Sequence, residues 1–571
     1  MKLRDVAIDR GGLLALVTLV LYAWLAPVTI IDGDNAEFAT LGATGGAAHP
    51  SGYPLYILWL RAMSWLPGAS PAHVAALATA ILGALAVLAL HAACRAWGAK
   101  PLAATVTVAI FASGPVVLRL ASEAEVFALN NLVVAAVLWL AAPHGPLRGE
   151  RLAVALGLVA GLGLANHLTC ALVAPIGLFA GVRAVREARR PAVAAALGVA
   201  GLAVGLSAYA YVLVADDTPM SWGKVSDLRG VLDMFLRSDY GGPTAFRAQG
   251  EHVSGWTSFV ALLRTGGRAW LWLPAVVGIG ALAVRAARGA ERWPWRMLAT
   301  SWLVSCLLVL RFDVPPSGLG LYVCQRFHVL PTLLLAVPIA AGLNTVVSRF
   351  ATRAHVIGVL AASLGVATMT ALSLPYLGRV HSPAVERSAQ NMLRSLPPNA
   401  VVLHGQDEFH AATGYVQWVL DERQDVVVVT RGLTALDWYR ARLAARGVVA
   451  EGSPIEIANR VLASGRPLFV DRLQRELIQA FPSHPYGIVI RLYPVGARLP
   501  TVSEVFALNV ELYEHFDLDY PAPGMDDEYA TEVHLRYRAV WEMIGTMLSR
   551  TGSPEAAKQA FALAERLGPR P

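Results

Sequence analysis

The chain has 571 residues, of which 56% are apolar and only 15% charged, and its mean hydropathy is +0.51. That balance excludes an ordinary water-soluble globule and makes the bilayer the solvent for much of the chain. A net charge of +7 and a pI of about 9.3 do not mark a nucleic-acid binder, because the arginines sit in short clusters between apolar runs and not along one basic face.

A helix crossing hydrocarbon needs about 20 mostly apolar residues, since unpaired backbone groups are costly there. The first such run, 11–31, follows Lys2 and Arg4, lacks a small-residue cleavage site and exceeds a signal-peptide core, so it predicts a retained first span. Further spans are predicted at 72–94, 102–120, 125–142, 152–167, 169–182, 192–214, 266–284, 297–311, 328–346 and 355–374, about eleven in all. The stretch 52–66 is apolar but short, and it carries Arg61. If it does not cross, then Arg95, Lys100, Arg148, Arg151, Arg183, Arg186, the arginines of 285–296, and Arg349 with Arg353 all share the cytoplasm with the N-terminus, as the positive-inside rule requires. It is therefore predicted to be a re-entrant or interfacial helix. The outer face then holds the loop from Asp32 to about Pro71, the junctions 121–125 and 166–169, the loop 216–265, the segment 312–327 and everything after Leu374. Cys94, Cys170, Cys306 and Cys324 lie in or beside apolar runs without metal-ligand spacing and read as buried thiols.

The first outer loop begins IDGDNAEF (31–38) and places Asp32, Asp34 and Glu37 directly after a span. One reading is structural, with Asp34 as helix N-cap and Glu37 completing an approximate capping box. The other is chemical: a carboxylate near a cationic phosphate clamp is suited to take a proton from a hydroxyl while a glycosyl phosphate bond breaks. HPSGYPL (49–55) fixes a rigid turn around Tyr53, from which His49 would orient a carboxylate. Glu123 and Glu125 with Asn130 and Asn131, and Asn166 with His167 and Thr169, stand at outer ends of spans. Polar groups at such depth usually face the bundle interior, so a shared polar cavity competes with plain interhelical hydrogen bonding. Arg326, in YVCQRFHVLP, either pairs with a lipid phosphate or snorkels to the interface.

Beyond about Pro375 the apolar runs shorten. NAVVLHG (399–405), DVVVVT (425–430), RPLFVD (466–471) and YGIVIRLY (486–493) read as buried strands, with a helical pattern at 435–446, which predicts an α/β domain. Asp407 and Glu408 there read as turn and cap residues more readily than as catalysts. In the tail, Gly545, Gly552, Ala557, Phe561, Ala564 and Pro569 match the spacing of a tetratricopeptide helix pair, against the plainer reading of an ordinary helical hairpin. The expected units are a membrane domain at 1–375, an extracytoplasmic α/β domain at 376–540 and a helical hairpin at 541–571.

DNAE at 34–37 followed by HPSGYPLY at 49–56 resembles the DSGE and HPPGYPL pattern of the DUF2723 family, which includes TMEM260-type protein O-mannosyltransferases. AEVFALNN (124–131), GLGLANHLT (161–169), QRF (325–327), and NAVVLHGQDE (399–408) with DWY (437–439) resemble its later segments in order, with Ala36 replacing the usual glycine and Ser51 the second proline. The resemblance implies a GT-C glycosyltransferase fold in a multi-pass membrane protein, with a polyprenyl-phosphate sugar, mannose by that likeness, as donor and Ser or Thr hydroxyls of exported proteins as acceptors. It implies Asp34 as catalytic base, Glu37 as its neighbour, Arg326 at the donor phosphate, and His49, Tyr53, Glu125, Asn130, Asn166 and His167 lining the site. No cofactor or obligatory metal is expected, and the setting is a bacterial inner membrane. Transfer to a lipid or polysaccharide, a secondary transporter, and a scaffold that presents its C-terminal domain are the competing readings. The transporter would show repeated halves and midplane ionisable groups, which the pattern lacks.

Overall fold

Proline sets the start of many membrane helices. Pro71, Pro101, Pro115 and Pro191 each stand in a first turn, where no backbone N–H needs an intrahelical partner. The computed structural model describes residues 10–242, 253–288, 291–311, 313–348, 354–377, 380–525 and 528–570; Lys2, Arg4, Arg349 and Arg353 lie outside them. Five described helices are long and apolar enough to cross a bilayer: Pro71–Ala96, Leu168–Glu187, Pro191–Val214, Arg292–Leu310 and Gly318–Thr345. Two bent pairs bring the number to seven if each is one span. Pro101–Ala112 turns by 72° into Pro115–Ser122 at Gly114-Pro115, and Gly255–Ala269 turns by 104° into Leu273–Ala287. Shorter apolar helices lie at Arg10–Leu25 and Phe127–Ala141. The stretch expected to lie at the interface holds a helix of nine residues, Pro54–Ala62. At 1.5 Å per residue that is roughly 14 Å, half the hydrocarbon thickness.

Helices Gly149–Leu164 and Pro191–Leu206 pack backbone to backbone. A Cβ on Gly157 would lie 2.0 Å from the Gly198 carbonyl oxygen, and one on Gly205 would lie 2.5 Å from that of Leu158. Small residues permit this approach where lipid supplies no hydrophobic drive between helices. Cys94, Cys170 and Cys324 are buried and Cys306 is half-buried, all as free thiols.

The C-terminal part carries a five-stranded sheet: β1 (Val401–His404), β2 (Val427–Thr430), β3 (Leu468–Val470), β4 (Ser483–Tyr486) and β5 (Val489–Leu492), in the order β2-β1-β3-β5-β4. β1 pairs in parallel with β2 and β3, while β5 and β4 run antiparallel. The three parallel strands are wholly buried valine, leucine and phenylalanine with one histidine and one threonine, as expected for strands covered on both faces. Helices Asp407–Trp418 and Asp437–Ala445 flank the sheet; the side chains of Asp407 and Glu408 lie outside the description. At the end of the chain Tyr529–Arg550 pairs with Pro554–Leu567 around Ile544, Leu548, Ala560 and Ala564, with the Phe561 ring against Gly545.

Membrane and C-terminal parts share one apolar core, which runs from Tyr56 and Leu82 to Val402, Tyr415 and Phe469. The Ala72 amide donates to Tyr415 Oη at 3.3 Å and the Ile30 amide donates to Glu386 Oε2 at 3.2 Å. Helix Asp407–Trp418 packs directly on helix Gly33–Thr44, which carries the acidic motif.

Candidate active site

Helix Gly33–Thr44 starts earlier than a cap at Asp34 would require. Asp32 is the N-cap, accepting from the Asn35 amide at 2.7 Å, so the sequence reading of Asp34 as cap is corrected. The capping task falls to Asp32 because the chain enters in extended conformation there. Asp34 in the first helical turn is thereby released to point elsewhere, and its carboxylate meets Arg326.

Arg326 comes from helix Gly318–Leu334 and is 7% exposed. Its guanidinium turns inward, pairing with Asp34, with Glu125 at 2.8 Å and with Asp32 at 3.8 Å. Asp32 and Glu125 are 1% exposed, whereas 39% of the Asp34 side chain reaches solvent. Asp34 is thus the member of the cluster open to a substrate. Burial works against its charge, but Arg326, then His49, outweigh it and hold its carboxyl below the usual range.

More charge lies behind this cluster. The Tyr322 hydroxyl sits between Asp32 and Glu123, donating to Asp32 and lying 3.2 Å from Glu123 Oε2. Tyr376 Oη donates to Glu123 Oε1 at 3.1 Å, and the Arg119 guanidinium lies 3.8 Å from the Tyr322 ring centroid. Burial, opposed by Arg119 and reinforced by Asp32, pushes Glu123 up to about 7.

On the opposite flank, Glu37 accepts from the His49 amide at 2.8 Å and faces His49 Nδ1 at 2.5 Å. Burial alone would keep His49 neutral, but Glu37, helped by Asp34, pushes it up to about 9, so this is a charged pair at neutral pH. Tyr53 Oη lies 3.1 Å from His49 Nε2. The turn that delivers Tyr53 needs glycine at 52: φ is 84°, and a Cβ would lie 2.6 Å from Met234 Sδ. The Tyr53 ring stacks on His167 at 5.8 Å, and His167 Nδ1 faces Thr169 Oγ1 at 2.7 Å.

The structure therefore gathers Asp34, Glu37, His49, Tyr53, Glu125, His167 and Arg326. Asn166 instead donates to the Val126 carbonyl at 3.1 Å, fixing the backbone next to Glu125. Asn130 is buried, and its Oδ1 meets no hydrogen-bond partner among the described residues. Sequence reasoning passes over Arg119, Tyr322 and Tyr376, which act through residues far away in the chain. It also passes over Arg237, whose charge reaches His49 and Tyr53 from the end of helix Leu228–Phe235. Asp34, Glu37 and His49 each offer a ligand atom within 4.8 Å of the others, a spacing able to hold a divalent cation. To do so, His49 would first have to give up its proton.

A cavity of about 660 Å³ opens beside Arg119 and Tyr376, lined also by Arg264, Arg268, Gln325, Trp256 and Met525 among others. Met525 comes from the C-terminal part. Close by, Tyr529 meets the Tyr322 ring edge to face at 5.5 Å.

Residues 34–188 match the family model described as the protein O-mannosyl-transferase TMEM260 N-terminal domain. The chain is 27% identical over 472 residues to protein O-mannosyl-transferase TMEM260 of Mus musculus, covering 78% of this chain and 66% of that protein. It is 21% identical over 361 residues to protein O-mannosyl-transferase tmem260 of Dictyostelium discoideum, covering 58% and 44%. It thus spans just under two thirds of the one relative and less than half of the other. In fold it is similar to ArnT from Cupriavidus metallidurans, both in the apo state (TM-score 0.56, 14% identity, 87% of this chain and all of that one) and bound to undecaprenyl phosphate (TM-score 0.54, 15% identity, 86% and 100%).

Proposed function

We propose that this chain, whose residues 34–188 match the TMEM260 N-terminal domain and whose fold is similar to that of the ArnT structures, transfers mannose from a polyprenyl-phosphate carrier to Ser or Thr hydroxyls of exported proteins, with inversion at the anomeric carbon. The observation that carries the reading is Asp34: a carboxylate kept ionised by a buried arginine and partly open to solvent, in a charged cluster that reaches an arginine-lined cavity through Tyr322 and Arg119. In this reading Asp34 accepts the hydroxyl proton as the acceptor oxygen bonds to the anomeric carbon and the bond to the phosphate oxygen breaks. The leaving phosphate is met by Arg264 and Arg268, with Arg326 holding the base and not facing the lipid alone. Trp256, Val260 and Leu372 offer apolar surface to the isoprenoid next to those arginines. The lipid bound in one of the two ArnT structures, undecaprenyl phosphate, supports a polyprenyl-phosphate donor in this reading. This reading invokes no metal: Glu37 holds the His49 imidazole up to about 9, and the proton it carries stands where a cation would bind. The proposed topology keeps about eleven crossings, with the N-terminus in the cytoplasm and both the site and the C-terminal domain outside.

The test is transfer of labelled mannose from polyprenyl-phosphate-mannose to exported domains by purified protein. Asp34→Asn is expected to lower the rate by about 10²–10⁴-fold; equal transfer by both proteins would remove the proposed base.

A further inference from the structure

Aromatic rings continue outward from His49, away from the arginine-lined cavity. The Trp222 centroid lies 6.4 Å from that of His49, 5.5 Å from Trp438 and 5.7 Å from Tyr240. Trp222 and Tyr240 belong to the outer loop after the span Pro191–Val214, and Trp438 to helix Asp437–Ala445 of the C-terminal domain. The rings are held firmly. Trp222 Nε1 donates to Asp239 Oδ2 at 2.7 Å. The Arg442 guanidinium lies 5.1 Å from the Trp438 centroid and donates to the carbonyls of Pro219 and Ser221 and to Asp217 at 2.7–2.9 Å. Gly223 lets Trp438 approach, since a Cβ there would lie 2.9 Å from the indole. Yet none of the three rings is fully buried: Trp222 and Trp438 are half-buried and Tyr240 is 41% exposed.

An inverting displacement brings the hydroxyl in opposite the leaving phosphate. With the phosphate on the Arg326 side of Asp34, the acceptor arrives on the His49 side, where these rings stand. We infer that Trp222, Trp438 and Tyr240 form an acceptor subsite, built half from the membrane domain and half from the C-terminal domain, that grips an extended polypeptide beside the modified Ser or Thr. This rests on the proposed glycosyl transfer. Centroid separations of 5.5–6.4 Å are those of aromatic side chains in mutual contact, so the rings make one continuous, partly exposed apolar surface leading away from His49. Rigid Trp and Tyr rings next to an arginine are the composition of a protein-binding hot spot. A glycan would need hydrogen-bonding groups around the rings, and here the Trp222 N–H and the Arg442 guanidinium are already engaged with neighbours. Trp438 lies no more than about 12 Å from His49, the reach of three to four extended residues, so the subsite reads side chains that close to the target hydroxyl.

The experiment measures binding to full-length protein of two separate probes: a fluorescein-labelled, unstructured Ser/Thr-containing peptide of about 15 residues, and polyprenyl phosphate alone. Trp438→Ala and Trp222→Ala are expected to weaken peptide binding by about tenfold or more with polyprenyl phosphate affinity within about twofold of wild type, while Trp438→Phe recovers most of the loss. Tyr240→Ala, at the exposed ring, is expected to weaken the peptide alone by about threefold, and serves where a tryptophan variant misfolds. Unchanged peptide affinity, equal loss of both ligands in all three alanine variants, or displacement of the peptide by a soluble oligosaccharide would each overturn the subsite. Neither measurement uses turnover, so a wild-type protein that binds peptide through these rings but transfers no mannose would sink the proposed reaction and leave the subsite standing.

Discussion

At Arg326 three carboxylates converge on one cation that water hardly reaches. Removing one partner from such a group leaves buried charge without compensation, which costs about 3–5 kcal/mol. Arg326→Met is therefore expected to lower the thermal unfolding temperature of the detergent-purified protein sharply, and a shift of less than about a degree would show that the cluster is not an ion-pair network. His49 makes a different prediction. Its pKa is raised, so the His49–Glu37 pair is complete below pH 6.5 and lost as pH rises through about 9. Asp34 is shifted the other way and stays ionised at the acid end of the usual working range. The transfer rate of the wild type is expected to fall near pH 9, and the profile of His49→Gln is expected to lack that limb; coincident profiles would exclude His49. Asp34, Glu37 and His49 can be picked from the sequence because they cluster in short motifs, and Arg326 because a charge there opens an apolar run. The cap at Asp32 cannot, since two aspartates two residues apart offer the same local chemistry and tertiary contact with Arg326 chooses between them. Tyr322 and Arg119 are hidden for a similar reason: Tyr322 and Asp32 are 290 positions apart.

At the scale of elements, helix Gly318–Leu334 presents Tyr322 and Arg326 one turn apart on the same side, so one rigid rod positions both the cation and the hydroxyl that donates to Asp32 of its cluster. Tyr322→Phe would leave Asp32 short of a donor, at a cost of about 1–3 kcal/mol. It is expected to lower stability by that amount in denaturant titration while retaining the fold, and no measurable change would mean that water replaces the hydroxyl. Apolar periodicity places a helix at most of the expected spans, of which five among the described residues are long and apolar enough to cross a bilayer, but it treats 102–120 as one span. The break at Gly114-Pro115 is legible locally, because proline forbids the preceding residue an easy helical conformation. Strand β4 escapes because Pro485 argues against a strand interior. It is tolerated here because β4 is the edge of the sheet, where one side of the strand needs no ladder partner.

At the scale of the whole molecule, the short basic loops and the site occupy opposite faces in the proposed topology. Asp217→Cys and Glu451→Cys are expected to react with a membrane-impermeant maleimide in intact cells, and Arg186→Cys only after permeabilisation; the reverse pattern would invert the protein and remove the extracytoplasmic reaction. Charge asymmetry is the basis of this proposed orientation. What composition does not disclose is how the soluble part sits on the membrane part, because that contact is made by ordinary apolar side chains such as Tyr415 and Val402 in a shared core. The consequence concerns Met525, which lines the cavity, and Tyr529, which packs on the Tyr322 ring. The part after the last membrane helix is not an appendage that could be exchanged for another cargo reader. Cutting the chain near residue 375 would uncover Tyr322 and, behind it, the buried carboxylates of Asp32 and Glu123, so the membrane portion on its own would hold only part of the proposed site.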